Sequence, residues 1–466
     1  MKTNPVRSMV FGIALAVLCA GPAQAQFNKF VVVGDSLAAG EESNCIVERF
    51  QERSWARLAA GLLQQDFQQP LFAEQVATNP PTGYPCLGPI LSGASISVGI
   101  VSQQGPNQNI QLGRPYDNLG FNGSPHIKDF VDLKTTVPGR SDLDNKAAAI
   151  LRNCTGCPFE GLSAVDEANS LAPDLVGFWG GNNDALDALG AGAAIEGVTL
   201  TPVDAFTAKY EEVIEALSVS GRTLVVFNVP DIGAVPFVTT IPPVVVDPAT
   251  RQPVLINGNP VPLLGPGDAA FPCEPVPPDQ GCPLPPGTLV NLQAQPLLAS
   301  GFGIPMALGG SGLPLPHGVF TPPATFTPGV ILYPDDVTSI RDHVDGYNAA
   351  IAASASANGA ILVDIHTLFD QVAAQGYTIG GITVTTSFIT GGIFYYDGVH
   401  PSPIGYGIVA DEFVKALNAA KGTNIPRPNF SQILFTPNVP SVGPPAPVTT
   451  VHADHGTRTV ARGGTE

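Results

Sequence analysis

Four apolar runs recur along the chain with the length of buried strands. They are Phe30–Val33, Leu175–Trp179, Leu224–Val229 and Ile361–Ile365. Runs that are apolar at nearly every position, rather than at alternate positions, are typical of parallel strands that are covered on both faces. We therefore expect these runs to lie in one parallel sheet.

Between these runs, apolar residues recur at the spacing of amphipathic helices. Residues 203–217 and 337–351 each carry one apolar stripe, and a third stripe follows Ser402-Pro403. A serine before a proline is a helix start signal, because the serine caps free N–H groups that the proline does not need. Buried strands that alternate with helices predict an α/β fold, a three-layer α/β/α sandwich. The functional site of such a sheet lies outside the carboxyl ends of its strands.

Two regions do not follow this alternation. Residues 236–334 are dense in proline and glycine and poor in charge. Because long structureless loops are uncommon in compact domains, we expect an ordered insertion over the site or a partly mobile lid. Residues 423–466 are rich in proline, threonine and glycine, which predicts an extended or disordered tail. The main domain is then expected to span residues 26–422.

The N-terminus is typical of an export signal. Two positive charges precede an apolar stretch from Met9 to Ala20, which is too short to span a bilayer. Ala23-Gln24-Ala25 is a small-x-small cleavage site. We expect residues 1–25 to be a signal peptide that is cleaved after Ala25, and the mature protein to be secreted or periplasmic. No later segment has the length and purity of a membrane helix.

The cysteines favour a set of disulfide bonds. Without Cys19, six of the seven cysteines remain, and an even number in an exported chain is typical of disulfides. Among the connectivities that six cysteines allow, we expect the local pairs Cys45–Cys86, Cys154–Cys157 and Cys273–Cys282. Cys154-Thr155-Gly156-Cys157 also has the spacing of a redox or metal motif. No second CxxC and no nearby histidine accompanies it, which favours the structural disulfide.

The formal net charge of -18 limits the partners of this chain. Nucleic acid is excluded as a partner, because phosphate binding needs patches of lysine and arginine. The same charge argues against electrostatic docking on anionic lipid.

A candidate nucleophile stands at the end of the first apolar run. Phe30–Val33 continues directly into Gly34-Asp35-Ser36-Leu37. A serine at the carboxyl end of a buried strand is both rigidly held and accessible, and a nucleophile needs both properties. Glycine, aspartate and serine are also ordinary turn formers, so this segment by itself is a weak signal.

Three other segments contain residue types that a nucleophilic serine would need. Asn118–Ser124 is rich in glycine, which lets a backbone N–H point at a substrate oxygen. Gly180–Asp184 follows the second apolar run and contains Asn182 and Asn183. Asp397-Gly398-Val399-His400 comes immediately before the last helix. Taken singly, the first two segments would be plain turns.

His400 is the best candidate for the base among the seven histidines. Asp397 lies three residues earlier, and the following helix fixes both side chains. His126 follows a loop and is the minor rival. The other five lie in the tail, in the 236–334 region, in a helical pattern or at a strand end: His452, His455, His317, His343 and His366.

Together the four segments resemble the sequence blocks of the SGNH hydrolase family, also called GDSL esterases/lipases. The blocks stand in the family's order and span about residues 28–420, interrupted by 236–334. The resemblance implies a parallel, flavodoxin-like sheet within the three-layer sandwich. It also implies a serine carboxylic-ester hydrolase that forms an acyl-enzyme and uses neither a metal nor an organic cofactor.

The resemblance also implies a role for each matching residue. Ser36 is the nucleophile, His400 the base, and Asp397 the carboxylate that orients His400. The oxyanion donors are the N–H of Ser36, the N–H of Gly123 and the side-chain amide of Asn183. For the second donor, Gly120 is the nearest alternative. Asp35 and Asp184 are expected to hold their loops.

The apolar rim, which is poor in charge, favours a small-molecule or lipid ester as the substrate. A carbohydrate O-deacetylase is the alternative enzyme, and a secreted binding module that has lost activity is the alternative outside enzymes. Residues 236–334 are expected to form either a wall or lid for an acyl chain or a surface elaboration.

Overall fold

The computed structural model describes residues 27–92, 95–134, 141–152, 156–267, 271–275, 277–321 and 325–435. The predicted signal peptide, Cys154 and residues 436–466 lie outside these ranges. Five strands form the central sheet: β1 (Phe30–Gly34), β2 (Asn118–Gly120), β3 (Leu175–Trp179), β4 (Thr223–Phe227) and β5 (Ile361–Val363).

All five strands are parallel, and their order across the sheet is β2-β1-β3-β4-β5. This is the flavodoxin-like order, so the predicted fold class is confirmed. The chain passes from β1 outward to the edge strand β2 and then returns to the other side of β1 to form β3. The ends of β1 and β3 therefore flank the switch point, where Gly34 pairs with Trp179. Ligands of open α/β sheets bind at such a point.

One strand differs from the sequence prediction. Residues 118–124 were expected to be a glycine-containing loop, but Asn118–Gly120 forms the edge strand β2. These three buried residues pair with Val32, Val33 and Gly34 of β1. Three residues are too few to show the alternation of a strand in the sequence. β2 is recognised as a strand only by its hydrogen bonds to β1.

Helices cover both faces of the sheet. They are α1 (Ser36–Ala39), α2 (Glu48–Gln51), α3 (Trp55–Leu62), α4 (Asp129–Asp132), α5 (Asp142–Leu151), α6 (Ala164–Ser170), α7 (Asn183–Ala191), α8 (Val203–Leu217), α9 (Pro236–Thr239), α10 (Gln295–Ala299), α11 (Pro334–Asn358), α12 (Ile365–Gln375), α13 (Pro403–Lys421) and α14 (Phe430–Phe435). Short 3-10 helices lie at Ile232–Ala234, Leu292–Ala294 and Met306–Leu308. The three predicted helices are present as α8, α11 and α13, and Ser402 caps α13.

The two faces of the sheet carry separate cores. Val31 and Val33 pack into one core with residues of α6, α8 and α11. Phe30 and Val32 point to the other face and pack into a second core with residues of α3 and α13. Successive side chains of a strand point to opposite faces, so a strand that is apolar at every position needs two covering layers. The three-layer sandwich follows from this.

The remaining strands described pair in antiparallel fashion outside the central sheet. Phe72–Gln75, Pro85–Ser92 and Ser95–Asn107 form a three-stranded sheet. Five two-stranded pairs complete the set: Leu255–Ile256 with Asn259–Pro260, Leu264–Gly265 with Cys282–Pro283, Leu289–Val290 with Ile331–Leu332, Val319–Thr321 with Thr325–Thr327, and Tyr377–Ile379 with Ile382–Val384.

The described part of residues 236–334 has a small core of its own. Its buried members include Val245, Leu284, Val290, Leu315 and Tyr333. This region also packs on the end of α7, where Asn291 donates a side-chain hydrogen bond to the carbonyl of Leu189. The region is therefore an ordered elaboration of the sheet, although the predicted domain boundaries stay a prediction.

The start of the predicted disordered tail is ordered. Residues 423–435 run back along α13 and end in α14. Arg427 forms an ion pair with Asp411, whose side chain is fully buried, and Ile425 donates to the side chain of Asn418. Residues 430–435 are helical and not extended, because α13 presents an apolar surface on which they pack. The disorder expected for residues 436–466 falls outside the described residues.

Disulfides join Cys45 to Cys86 and Cys273 to Cys282, as local pairing predicts. Cys154 lies outside the described residues, so its bond to Cys157 stays a prediction. Within the described ranges, no helix is both long and apolar enough to cross a membrane.

Candidate active site

Ser36 lies at the carboxyl end of β1, as the first residue of α1. Asp35 caps this short helix, and its carboxylate accepts a hydrogen bond from the N–H of Leu37 at 3.0 Å. The preceding Gly34 has no room for a side chain, because a Cβ there would lie 2.2 Å from the carbonyl oxygen of Trp179. The N–H of Ser36 has no acceptor among the described residues, as expected for the first turn of a helix. It is thus available to a substrate oxygen.

Ser36, His400 and Asp397 form one hydrogen-bonded line. The Nε2 atom of His400 lies 2.9 Å from the Oγ of Ser36, and its Nδ1 lies 2.8 Å from Oδ2 of Asp397. All three residues are less than a tenth exposed. The imidazole is therefore placed to take the serine proton while its other nitrogen donates to the carboxylate.

The Asp397 carboxylate accepts backbone hydrogen bonds on both oxygens. Its Oδ1 accepts from the N–H groups of Val399 and His400 at 2.9 and 2.8 Å. Its Oδ2 accepts from the N–H of Asn44 at 2.7 Å, in addition to the imidazole of His400. Both oxygens of the carboxylate therefore accept hydrogen bonds, which hold it in place and stabilise its ionised form.

The charges around His400 shift its titration. Burial lowers the pKa of His400, but the nearby carboxylates of Glu41 and Asp397 and the hydrogen bond that His400 donates to Asp397 raise it to about 9. Burial alone would raise the pKa of Asp397, but the charge and hydrogen bonds of His400 hold it well below its usual range. The pair therefore favours an imidazolium beside a carboxylate, which is the charge state that forms when serine gives up its proton.

Glu41 is a neighbour of His400 that the sequence analysis did not single out. Its Oε2 lies 3.9 Å from Nε2 of His400, and the residue is 6% exposed. Tyr406 of α13 donates its hydroxyl to the backbone carbonyl of Glu41 at 2.7 Å, which fixes this part of the chain. A glutamate six residues beyond Asp35 belongs to no catalytic pattern in the sequence, so only the fold reveals the contact.

The two asparagines after β3, Asn182 and Asn183, donate hydrogen bonds to different groups. Asn182 donates its amide to the carboxylate of Asp35 at 2.7 Å, and so ties the β3 loop to the nucleophile turn. Asn183 donates to the carbonyl of Pro125 at 3.1 Å, which leaves its second amide hydrogen for another acceptor.

Burial raises the pKa of Asp35 to about 6, against the lowering effect of the bond from Asn182. Asp184 accepts from the N–H of Ile127, so both acids hold loops, as expected.

Gly120 and Gly123 differ in what their positions require. A Cβ on Gly120 would lie 2.4 Å from the backbone nitrogen of Ala39, so Gly120 lets β2 pack directly against α1. Gly123 lies in the loop after β2 with a φ of 96°, a conformation that favours glycine. Its N–H donates no hydrogen bond within the described part of the chain. Gly123 is not among the residues that line the cavity at Ser36, so its role as an oxyanion donor stays a prediction.

The other described histidines lie apart from Ser36. His126, the rival base, has its Nε2 2.9 Å from a carboxylate oxygen of Asp187. His317 makes a similar contact with Asp336, and His366 lies against the carbonyl of Val229. His343 lies within α11 and faces the carbonyl of Ser339. Of the five described histidines, only His400 contacts the serine.

An apolar cavity opens beside Ser36, Asn183 and His400. Its volume is about 100 Å³. Its apolar walls come from α1, the end of β3, α7, the segment after β4, α12, the segments on both sides of Asp397, and α13: Leu37, Trp179, Leu186, Pro230, Ile232, Val235, Ile365, Leu368, Phe369, Val372, Ile393, Phe394, Val399, Pro401, Ile408 and Val409.

No described residue of the 236–334 region is among those that line this cavity. The described part of this region therefore supplies no wall of this cavity, and its role as a lid or a surface elaboration stays a prediction. Its contact with the site is indirect, through a backbone hydrogen bond from Phe237 to the carbonyl of Gly398. The walls come instead from α1, α7, α12, α13 and the segments next to β4 and Asp397. Among the described residues, no group of three or more histidine, cysteine or acidic side chains is placed to hold a metal ion.

Comparison with known proteins gives one family. Residues 30–260 match the family model of the GDSL-like lipase/acylhydrolases. No curated protein matches the chain. The chain is similar to the crystal structure of LAE5, an alpha/beta hydrolase enzyme from the metagenome of Lake Arreo, Spain, at 11% identity and a TM-score of 0.34. That match covers 84% of this chain and 96% of LAE5, and we draw no conclusion from so low a score.

Proposed function

This chain belongs to the SGNH hydrolase (GDSL esterase/lipase) family, and we propose that it is an exported serine esterase that hydrolyses carboxylic esters through an acyl-enzyme. The observation that carries the proposal is the line of contacts from Ser36 Oγ to His400 Nε2 and from His400 Nδ1 to Asp397. A serine, an imidazole and a carboxylate in this geometry are the parts of a nucleophilic triad.

In the proposed reaction, Ser36 attacks the ester carbonyl while His400 takes its proton. His400 then gives this proton to the leaving alcohol, and a water molecule repeats the sequence on the acyl-enzyme. Asp397 holds the imidazole in the correct tautomer and stabilises the imidazolium. No metal and no organic cofactor takes part in these steps.

The negative oxygen of the tetrahedral intermediate would be stabilised by three donors. We assign them to the N–H of Ser36, the N–H of Gly123 and the amide of Asn183. The free N–H of Ser36 and the second amide hydrogen of Asn183 support this assignment. Removing one such donor costs about 2.7–4 kcal/mol of transition-state stabilisation in other enzymes.

The cavity favours a short acyl chain over a polar acyl group. Its walls are apolar, and its polar lining residues lie at the Ser36 end: Ser36, Asn182, Asn183 and His400. An engineered apolar cavity of about 150 Å³ holds a benzene molecule, so a cavity of about 100 Å³ suits a chain of roughly four to six carbons. We therefore propose a short-chain acyl ester as the substrate. No contact in the site favours the sugar of an acetylated glycan.

The proposal of export has separate support. Both described disulfides are of a kind that persists in oxidising compartments. N-terminal sequencing of the protein recovered from the medium or the periplasm tests it, and a first residue of Gln26 is expected. Recovery of the chain in the cytoplasm with an intact N-terminus contradicts export.

The test of function is a series of aryl esters of increasing acyl length, with an acetylated glycan as a separate substrate. The purified protein is expected to turn over the short-chain esters best, and Ser36→Ala to lose the activity. If no ester is hydrolysed, the protein is not an esterase, and a binding module becomes the better description. Activity that survives Ser36→Ala contradicts the nucleophile. A preference for the glycan over every acyl ester identifies a deacetylase.

A further inference from the structure

A tight turn between α1 and α2 lies against the Asp397 carboxylate. Glu42 and Cys45 close this turn with two backbone hydrogen bonds, of 3.1 and 3.2 Å. The two central residues, Ser43 and Asn44, have φ angles of 55° and 66°. Two successive residues with positive φ are typical of a type I′ turn, which usually contains glycine. Asparagine adopts a positive φ readily and serine does not, so Ser43 has a conformation here that its residue type does not favour.

The turn conformation delivers one hydrogen bond to the triad. The N–H of Asn44 lies 2.7 Å from Oδ2 of Asp397, and this same oxygen accepts the hydrogen bond of His400 Nδ1. The other backbone donors to this carboxylate are Val399 and His400, which lie on the same loop as Asp397 itself. Asn44 is thus the contact that fixes the carboxylate relative to the sheet end that carries Ser36.

The turn is held from outside by a neighbouring strand. Cys45 is bonded to Cys86 of the strand Pro85–Ser92, and both cysteines are fully buried. The N–H of Leu87 on that strand donates to the carbonyl of Ser43 at 2.9 Å. A covalent bond and a hydrogen bond therefore flank Asn44 on both sides.

We propose that the turn Glu42–Cys45, tethered by the Cys45–Cys86 disulfide, positions Asp397 for catalysis. This inference rests on the proposed function. None of the turn residues lines the apolar cavity, so the tether should act on turnover and not on substrate binding. Asn44 acts through Asp397 and is therefore a positioning residue.

The chain provides a matched control for this disulfide. Cys273–Cys282 lies in the 236–334 region, and neither of its cysteines lines the cavity. The double variants Cys45→Ala/Cys86→Ala and Cys273→Ala/Cys282→Ala are compared for kcat, KM, the pH profile of kcat/KM and thermal unfolding. Both variants are expected to unfold at a lower temperature than the wild type.

Only loss of the Cys45–Cys86 tether should change catalysis. We expect its kcat to fall by about 10- to 100-fold, since small misplacements of catalytic groups cost up to about that much, while KM stays within about twofold. The acid limb of its pH profile should move to lower pH, because a less well held carboxylate raises the pKa of His400 less. If kcat and the pH profile of folded protein equal those of the control variant, the inference is wrong.

A second pair of variants, both at Asn44, tests the inference if the double cysteine variant does not fold. Asn44→Gly keeps the N–H and suits a φ of 66°, so it should lose much less kcat than a residue that resists this conformation. Asn44→Val also keeps the N–H, but a β-branched residue resists this conformation, so kcat should fall. If glycine costs as much as valine, the side chain of Asn44 matters and the inference is wrong. If Ser36→Ala stays active, the proposed function itself fails, whatever these variants do.

Discussion

The Asp397 carboxylate is surrounded by donors, which makes it a strict test of the triad. Either orientation of an amide at this position would turn its NH₂ group towards a backbone N–H, of His400 on one side or of Asn44 on the other. Asp397→Asn should therefore disturb His400 and give it the wrong tautomer. We expect kcat to fall by about 10³- to 10⁴-fold, as in serine proteases changed in this way.

Steady-state kinetics of Asp397→Asn measure this loss, with circular dichroism to establish folding. Asp247→Asn is the matched control, because Asp247 also accepts two backbone N–H bonds but lies in a turn of the 236–334 region. The control should keep the wild-type kcat. A loss of less than tenfold in Asp397→Asn would mean that another group orients the imidazole.

The charge of Glu41 should set the pH at which the enzyme becomes active. His400 must be neutral to accept the serine proton, so kcat/KM should rise as pH increases through its pKa. The carboxylates of Glu41, Asp397 and Asp35 face His400 from different segments and raise this pKa to about 9. Glu41→Gln removes one of these charges, so the acid limb of the pH profile should move to lower pH.

The pH dependence of kcat/KM for Glu41→Gln and Glu41→Asp checks this prediction. The aspartate keeps the charge and should keep the wild-type profile more closely than the glutamine does. An unchanged acid limb in Glu41→Gln would show that the Glu41 carboxylate does not influence His400.

At the scale of elements, the packing of β2 against α1 holds the nucleophile helix. Gly120→Ala would place a Cβ 2.4 Å from the backbone nitrogen of Ala39, and a backbone atom cannot move as a flexible side chain does. We expect the free energy of unfolding to fall by about 1–3 kcal/mol, as for other overpacked sites. Because Ser36 begins α1, kcat should fall as well.

Denaturant unfolding of Gly120→Ala measures the effect, and Gly61→Ala is its control. Gly61 lies in α3, where an added Cβ meets no atom within 4 Å apart from the nearby backbone of its own helix, so alanine should leave the protein as stable or stabilise it by up to about 1 kcal/mol. Equal stability of the two variants would contradict the close packing of β2 on α1.

Elements with a clear hydrophobic pattern could be predicted from the sequence. Elements that form only because another element pairs with them or packs on them could not. The helices α8, α11 and α13 carry apolar stripes over several turns, and the runs that contain β1, β3, β4 and β5 are apolar at nearly every position. β2 has only three residues, Asn118–Gly120, and exists because β1 pairs with it. Helix α14 exists because it packs on α13, where a Cβ on Gly407 would touch Ile433 and Phe430.

At the scale of the whole molecule, the acyl cavity is assembled from segments far apart in the chain. Leu368 of α12 is half-buried and lines the cavity. It also packs against both hydrophobic cores. Leu368→Trp should fill part of the cavity and shift the preference towards shorter acyl esters, with little change for the shortest. The ratio of kcat/KM values across the aryl ester series measures this shift.

The variant Cys273→Ala/Cys282→Ala is the control for this prediction, since its disulfide lies in the region that does not line the cavity. Its chain-length preference should equal that of the wild type. If this control shifts the preference and Leu368→Trp does not, the acyl group binds against residues 236–334 instead.

The sequence by itself determined the α/β class, the parallel sheet and the residues from which a triad is built. It could do so because buried strands are apolar at every position, and because serine, aspartate and histidine stand at strand and helix ends in recognisable order. The tertiary structure alone decided that Asn44 and Glu41 reach the Asp397–His400 pair, since these contacts join residues more than 350 positions apart. It also decided that α12 and α13 help to line the cavity, whereas no described residue of the 236–334 region does. A contact between distant segments leaves no local period in the chain, so no pattern of neighbouring residues could have predicted it.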